Sequence, residues 1–144
     1  MSKIKIYKDN PTAGQTDGTL VSSGDWENPI ESGAIKVPDS GYNEGDWIKL
    51  AARCDDGFET VEEEGRHAQL SIENGAGDAD KWQLAPDDEG SAGTPEDWGM
   101  SLDINEQIDD TNTIFWARAR VADTEEPQND QSVQIRVEAV IGAQ

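Results

Sequence analysis

The sequence predicts an all-β fold, an immunoglobulin-like antiparallel sandwich of about 7–9 strands with long acidic loops. Three observations point there. Apolar residues alternate with polar ones over short runs, Gly, Pro, Asn and Asp separate those runs, and helical periodicity is nearly absent. At 144 residues the chain is long enough to bury one core, and a single sandwich domain over residues 1–144 is expected.

Taken in order, KIKIYK alternates Ile4 and Ile6 with Lys5 and Tyr7. TLVS and AIKV are weaker strands. DWIKLAARC sets Ile48, Leu50, Ala52 and Cys54 against Trp47, Lys49, Ala51 and Arg53. HAQLSIE alternates Ala68, Leu70 and Ile72 with His67, Gln69, Ser71 and Glu73. KWQLA and GMSLDI continue the pattern through Trp82 and Leu84, then Met100, Leu102 and Ile104. The cleanest runs come last. Phe115, Ala117, Ala119 and Val121 share one face of NTIFWARARVA, and Val133, Ile135, Val137, Ala139 and Ile141 share one face of SVQIRVEAVI. With the polar, Pro127-containing DTEEPQNDQ between them, these two runs read as a terminal β-hairpin. DNPTAGQTDGT and PDDEGSAGTPEDWG read as long loops.

Composition limits the function classes. There are 31 acidic residues against 11 basic ones, a formal charge of −20, and a field of that sign repels polyanions; no nucleic-acid partner is expected. No apolar run approaches the roughly eighteen residues of a membrane helix, and the N-terminal MSKIKIYKDN has no signal-peptide core. A soluble protein made in the cytoplasm, with no membrane partner, is the expectation. The single cysteine, Cys54, rules out an intrachain disulfide. Its alternation with Leu50 and Ala52 makes it a small core residue rather than a nucleophile. The one histidine, His67, falls on the polar side of its run beside Arg66 and reads as an exposed strand residue. No catalytic residue is assigned, because acidic pairs occur by chance in so acidic a chain.

No cofactor is expected, with one alternative. NGAGDAD places Asp78 and Asp80 two apart after turn-forming glycines, which could aim both carboxylates at a calcium ion. A solvated turn explains the same residues, since glycine- and aspartate-rich calcium repeats act as stacked copies and here there is one.

Contact candidates come from the five tryptophans and the late arginines. Trp82 and Trp116 sit inside strand patterns, whereas Trp26 in GDWENP and Trp98 in PEDWGM fall in loops. A loop indole can offer a contact surface, stack on a sugar ring, or pin its loop to the domain. Arg118 and Arg120 share a face with Trp116, and Arg136 lies with Glu138 on the polar face of the following run. If the hairpin forms, these arginines pair across strands with Glu or Gln, leaving a neutralised face. A protein contact is the other reading of Trp116, Arg118, Arg120, Arg136, Trp26 and Trp98.

Four stretches, IKIYKDNPTAGQTDGT, WIKLAARCDDGFET, DKWQLAPDDEGSAGTPEDWGMSLDI and IDDTNTIFWARARVADTEEPQNDQSVQIRVEAVI, carry a resemblance. In them the chain resembles small proteins encoded in the structural-gene clusters of tailed bacteriophages and prophages. The likeness spans most of the chain and is one of texture, without a catalytic motif. It implies a non-enzymatic virion component with an immunoglobulin-like fold, a capsid decoration protein or a tail-associated subunit. It also implies other virion proteins as partners, a homo-oligomer in the particle, and location in the virion after synthesis in the host cytoplasm. The chain departs from the group in its density of acid, as in VEEEG and APDDEG. The alternative is a carbohydrate- or cell-surface-binding sandwich with a glycan partner, assisted by calcium.

Overall fold

Alternating apolar residues commit one side of a segment to a core and leave backbone N–H and C=O groups to pair sideways, which only neighbouring strands can do. A computed structural model describes residues 3–22, 30–31, 39–73, 81–122 and 132–144, and these contain thirteen strands and no α-helix. They are β1 (Ile4–Lys8), β2 (Thr19–Ser22), β3 (Ile30–Glu31), β4 (Tyr42–Glu44), β5 (Ile48–Cys54), β6 (Phe58–Val61) and β7 (Ala68–Glu73). Then come β8 (Trp82–Asp88), β9 (Ser91–Ala92), β10 (Leu102–Ile104), β11 (Thr113–Ala122), β12 (Ser132–Glu138) and β13 (Val140–Ala143).

The strands form antiparallel sheets in a sandwich-like arrangement. The larger sheet runs β2-β1-β5-β11-β8-β9, with β4 also on β11; the smaller runs β10-β7-β12-β3, and β13 pairs with β6. Registers join the last pair to the smaller sheet. Glu138 lies opposite Gln69 and Val140 opposite Val61, so β12 and β13 follow β7 and β6 along one line. Residues 62–67 leave that line as an excursion, closed by the Glu63–Arg66 bridge. Its tip, Glu64 and Gly65, has φ of 55° and 84°, the two positive angles of a type I′ turn. Glu89 and Gly90 repeat that geometry between β8 and β9.

The core lies between the sheets. Ile4, Ile6, Leu50, Ala52, Cys54, Trp82, Leu84, Phe115, Ala117 and Ala119 face Ala68, Leu70, Leu102, Ile104 and Ile135. Cys54 is buried there, as its alternation predicts, with Sγ 3.5 Å from the Ile108 carbonyl. Burial first, then the charges of Asp109 and Asp55, push its thiol up to about 12.

Several expectations are corrected. β11 and β12 do not form a hairpin: β11 pairs with β5, β8 and β4, and β12 with β7 and β3. Alternation fixes which face is buried but not which sheet holds the strand. SVQIRVEAVI is two strands broken at Ala139. Met100 is 56% exposed rather than in the core, since β10 starts only at Leu102. Part of PDDEGSAGTPEDWG is the β8–β9 hairpin, not loop. AIKV lies outside the described residues.

His67 is half-buried, not exposed, because the excursion folds it back onto β6. Thr60, fully buried, accepts the Ile108 N–H at 2.9 Å, and its Oγ1 lies 3.1 Å from His67 Nδ1. Thr60→Val keeps the shape but strands the buried Ile108 N–H, and should cost about 1–3 kcal/mol in urea unfolding. At the other end of the sequence, loop 9–18 is tied down by Asp17. Its carboxylate accepts from the Thr12 N–H and hydroxyl, each at 2.8 Å, and from Asn112 Nδ2 at 2.9 Å. The Thr12 N–H above all, then the Thr12 hydroxyl, hold its pKa below 3.8. Stability from a depressed carboxyl is complete above its unfolded value and is lost as pH falls through the folded one. The Thr12 amide resonance should therefore titrate with a midpoint below 3.8, and Thr12→Val should raise that midpoint.

Candidate functional site

On β11 the residues between the core positions face outward: Trp116, Arg118 and Arg120 alternate with the fully buried Phe115, Ala117 and Ala119. The partners of the outward residues follow from register. β8 sets Ala85 opposite Trp116 and Gln83 opposite Arg118. On the other flank Ala117 faces Ile48 while Arg120 faces Glu44, so residues 45–47 oppose only Arg118 and Ala119. That extra residue is a β-bulge, closed by the Gly45 N–H to the Ala119 carbonyl at 2.7 Å. It turns Trp47 and Glu44 to the same outward face, both within reach of Arg118.

The remaining wall comes from the segment after β9. Gly93, Glu96 and Gly99 donate their N–H groups to the carbonyls of Pro86, Leu84 and Trp82 at 2.8, 2.9 and 2.9 Å, laying the segment along β8. A side chain at Gly93 would meet the Pro86 carbonyl oxygen at 3.2 Å, so glycine permits this approach. Trp98 is thereby carried over the outer face.

An arginine–aromatic ladder results. The Arg118 guanidinium lies 4.4 Å from the Trp47 ring centroid and 5.4 Å from that of Trp98. The Arg120 guanidinium lies 4.3 Å from Trp98 and 3.9 Å from Tyr42. Contact therefore runs Trp47, Arg118, Trp98, Arg120, Tyr42 without a gap. Each such contact, partly desolvated, is worth roughly 0.5–2 kcal/mol. Arg118 is also paired, with Nη2 2.8 Å from Glu44 Oε2 and Nε donating to Gln83 Oε1 at 2.8 Å. Gln83, itself buried, donates Nε2 to the Glu96 carbonyl at 2.8 Å and so fixes the Trp98 loop.

Arg120 is different. Among the described residues no carboxylate pairs with it, and its buried Nε has no acceptor. Among the described residues its charge is held by the faces of Trp98 and Tyr42. The ladder's end is open, with Tyr42 52% exposed.

The structure thus brings together three of the sequence candidates, Arg118, Arg120 and Trp98, and sets Trp116 next to them. Trp116 is half-buried, with Nε1 donating to Asp87 Oδ1 at 2.9 Å. Arg136 is not on this face: its backbone lies in the other sheet, opposite Ser71. The expected neutralisation across a β11–β12 pair is therefore replaced by Glu44 and Gln83, because those strands belong to different sheets. Trp26, Asp78 and Asp80 lie outside the described residues. Sequence reasoning missed Tyr42, Glu44, Trp47 and Gln83 as partners. The only available signal was Trp47 sharing the polar face of its run with Lys49 and Arg53. Trp98 is half-buried, its ring lying against the two guanidinium groups.

No protein-family model matches the chain, and neither a curated protein nor a solved structure does. Fold and face together define an all-β, sandwich-like protein with a pre-ordered arginine–aromatic patch on its larger sheet.

Arg118→Met should remove the Glu44 pair and leave the buried Gln83 Oε1 without its donor. The latter loss costs about 1–3 kcal/mol, which denaturant unfolding would register. Trp98 fluorescence should change together with it, since the indole loses a cationic neighbour.

Proposed function

We propose that this chain is a non-enzymatic structural protein of a tailed-bacteriophage particle, a capsid-decoration or tail-associated subunit working through protein–protein contacts. The observation that carries the reading is the arginine–aromatic ladder. Tyr, Trp and Arg are the residue types that dominate binding energy at protein interfaces. Here the guanidinium groups are immobilised before any partner arrives, so less side-chain entropy remains to be lost on docking. Two large apolar groups, Tyr42 and Met100, are exposed at 52% and 56%. The resemblance in texture to phage structural-cluster proteins selects a particle as the partner.

Particles purified by density gradient from cells carrying the encoding phage or prophage provide the test. Peptides of this chain should appear at the level of a structural component; their absence from intact particles overturns the reading. Tyr42→Ala gives up one ring contact to Arg120, so it should lower the melting temperature by a few degrees at most while reducing incorporation by about tenfold or more, as loss of an interface anchor does.

A further inference from the structure

The edge of β13 presents backbone groups that nothing in the described chain uses. Gln144 donates its N–H to the Gly57 carbonyl at 2.9 Å, which fixes the phase of the β13–β6 ladder. Gly142 and Val140 then exchange hydrogen bonds with Glu59 and Val61. The opposite phase is already taken on β6, where the Phe58 and Thr60 N–H groups go to the Asp55 and Ile108 carbonyls at 3.0 and 2.8 Å. The N–H and C=O groups of Ile141 and Ala143 therefore point away from β6, and among the described residues they have no backbone partner.

Other strands manage their edges. β8 beyond its hairpin is covered by the segment carrying Trp98. β10 bears Asp103, and β2 is joined through a register shift that twists it. Among the described residues β13 has none of these devices. Residues 139–144, AVIGAQ, hold no charged side chain in a chain of net charge −20. Beside them Val140 and Val61, an opposed pair, are 45% and 47% exposed. An uncharged, apolar, unpaired edge is a template for another strand.

We infer that β13 is a dimerisation edge: two copies of this chain pair their β13 strands antiparallel about a two-fold axis at Gly142. The phase suits a second copy. With Gly142 opposite its equivalent, Ile141 of each copy faces Ala143 of the other, and these are the residues whose N–H and C=O groups point outward. The pairing strand itself brings no charged side chain to the seam between two strongly acidic bodies. It stands independently of the virion reading, since it is measured on the isolated chain.

The test is sedimentation velocity on the full chain from about 1 µM to about 1 mM, the range suited to a small contact, at low and high salt. A reversible dimer is expected, tighter at high salt because screening removes the repulsion between the copies. Amide exchange in the same samples should show Ile141 and Ala143 protected only as concentration rises, and Val140 and Gly142 protected throughout. Ala143→Pro removes an outward N–H that the monomer does not use; it should keep the far-ultraviolet circular dichroism spectrum and weaken dimerisation at least tenfold. A chain that stays monomeric at 1 mM in high salt, an open-ended oligomer, or a dimer in which Ile141 and Ala143 exchange freely overturns the inference.

Discussion

Everything on the larger sheet depends on β11 being paired along both flanks. Ten residues long, it is hydrogen-bonded to β5 and β4 on one side and to β8 on the other. A strand so placed has two crowded faces. Inward, Ala117 and Ala119 are small, and bulkier groups such as Trp82 and Leu50 fill the space between the sheets. Outward, Arg118 lies opposite Gln83 on β8 and Arg120 opposite Glu44 on β4, and the rings of Trp47, Trp98 and Tyr42 close over the guanidinium groups. The ladder is a consequence of central position as much as of residue type.

The same demand for complete pairing shapes the smaller sheet. Insertion of residues 62–67 between β6 and β7 breaks the hydrogen-bond ladder where Thr60 meets Ile108. The break is mended by side chains: Thr60 Oγ1 takes the Ile108 N–H, and Gln107 Nε2 gives its proton to the Thr60 carbonyl at 3.1 Å. His67 completes the set from the far side of the excursion. A threonine and a histidine thus do in the interior what a continuous strand would do with backbone alone. Cys54, whose Sγ lies 3.5 Å from the carbonyl of the same Ile108, belongs to this repair and not to any reactive site, since burial keeps its thiol protonated.

Long strands were legible in the sequence because period two is a local property. Phe115 to Ala119, Leu50 to Cys54 and Leu70 declare their inward faces without reference to any partner. β3, β4 and β9 are too short to show a period, and their existence depends on strands far away in the chain. The false β11–β12 hairpin has the same origin: both runs have an apolar face on the shared core, and alternation alone cannot separate adjacency within a sheet from opposition across it. The candidate face was legible in part for a related reason. Arg118, Arg120 and Trp98 could be picked out by residue type. Their assembly needed the bulge at residues 45–47 and the run of Trp98's loop along β8, and both are set by register between distant segments.

Acidity and the arginine ladder are two sides of one electrostatic balance. Desolvating a guanidinium is costly, and Arg120 lacks a carboxylate among the described residues to offset that cost. Two contributions remain: the quadrupoles of Tyr42 and Trp98, and the summed field of a chain with 20 more negative than positive charges. That field favours any buried cation, at a distance and without direct contact, whereas a neutral chain would leave Arg120 to its rings. The excess of acid therefore also favours an arginine set between two rings on the larger sheet with no carboxylate partner among the described residues. Arg118, satisfied by Glu44 and Gln83, holds Trp47 and Trp98 in place, and Arg120 takes its position from Trp98 and from Tyr42.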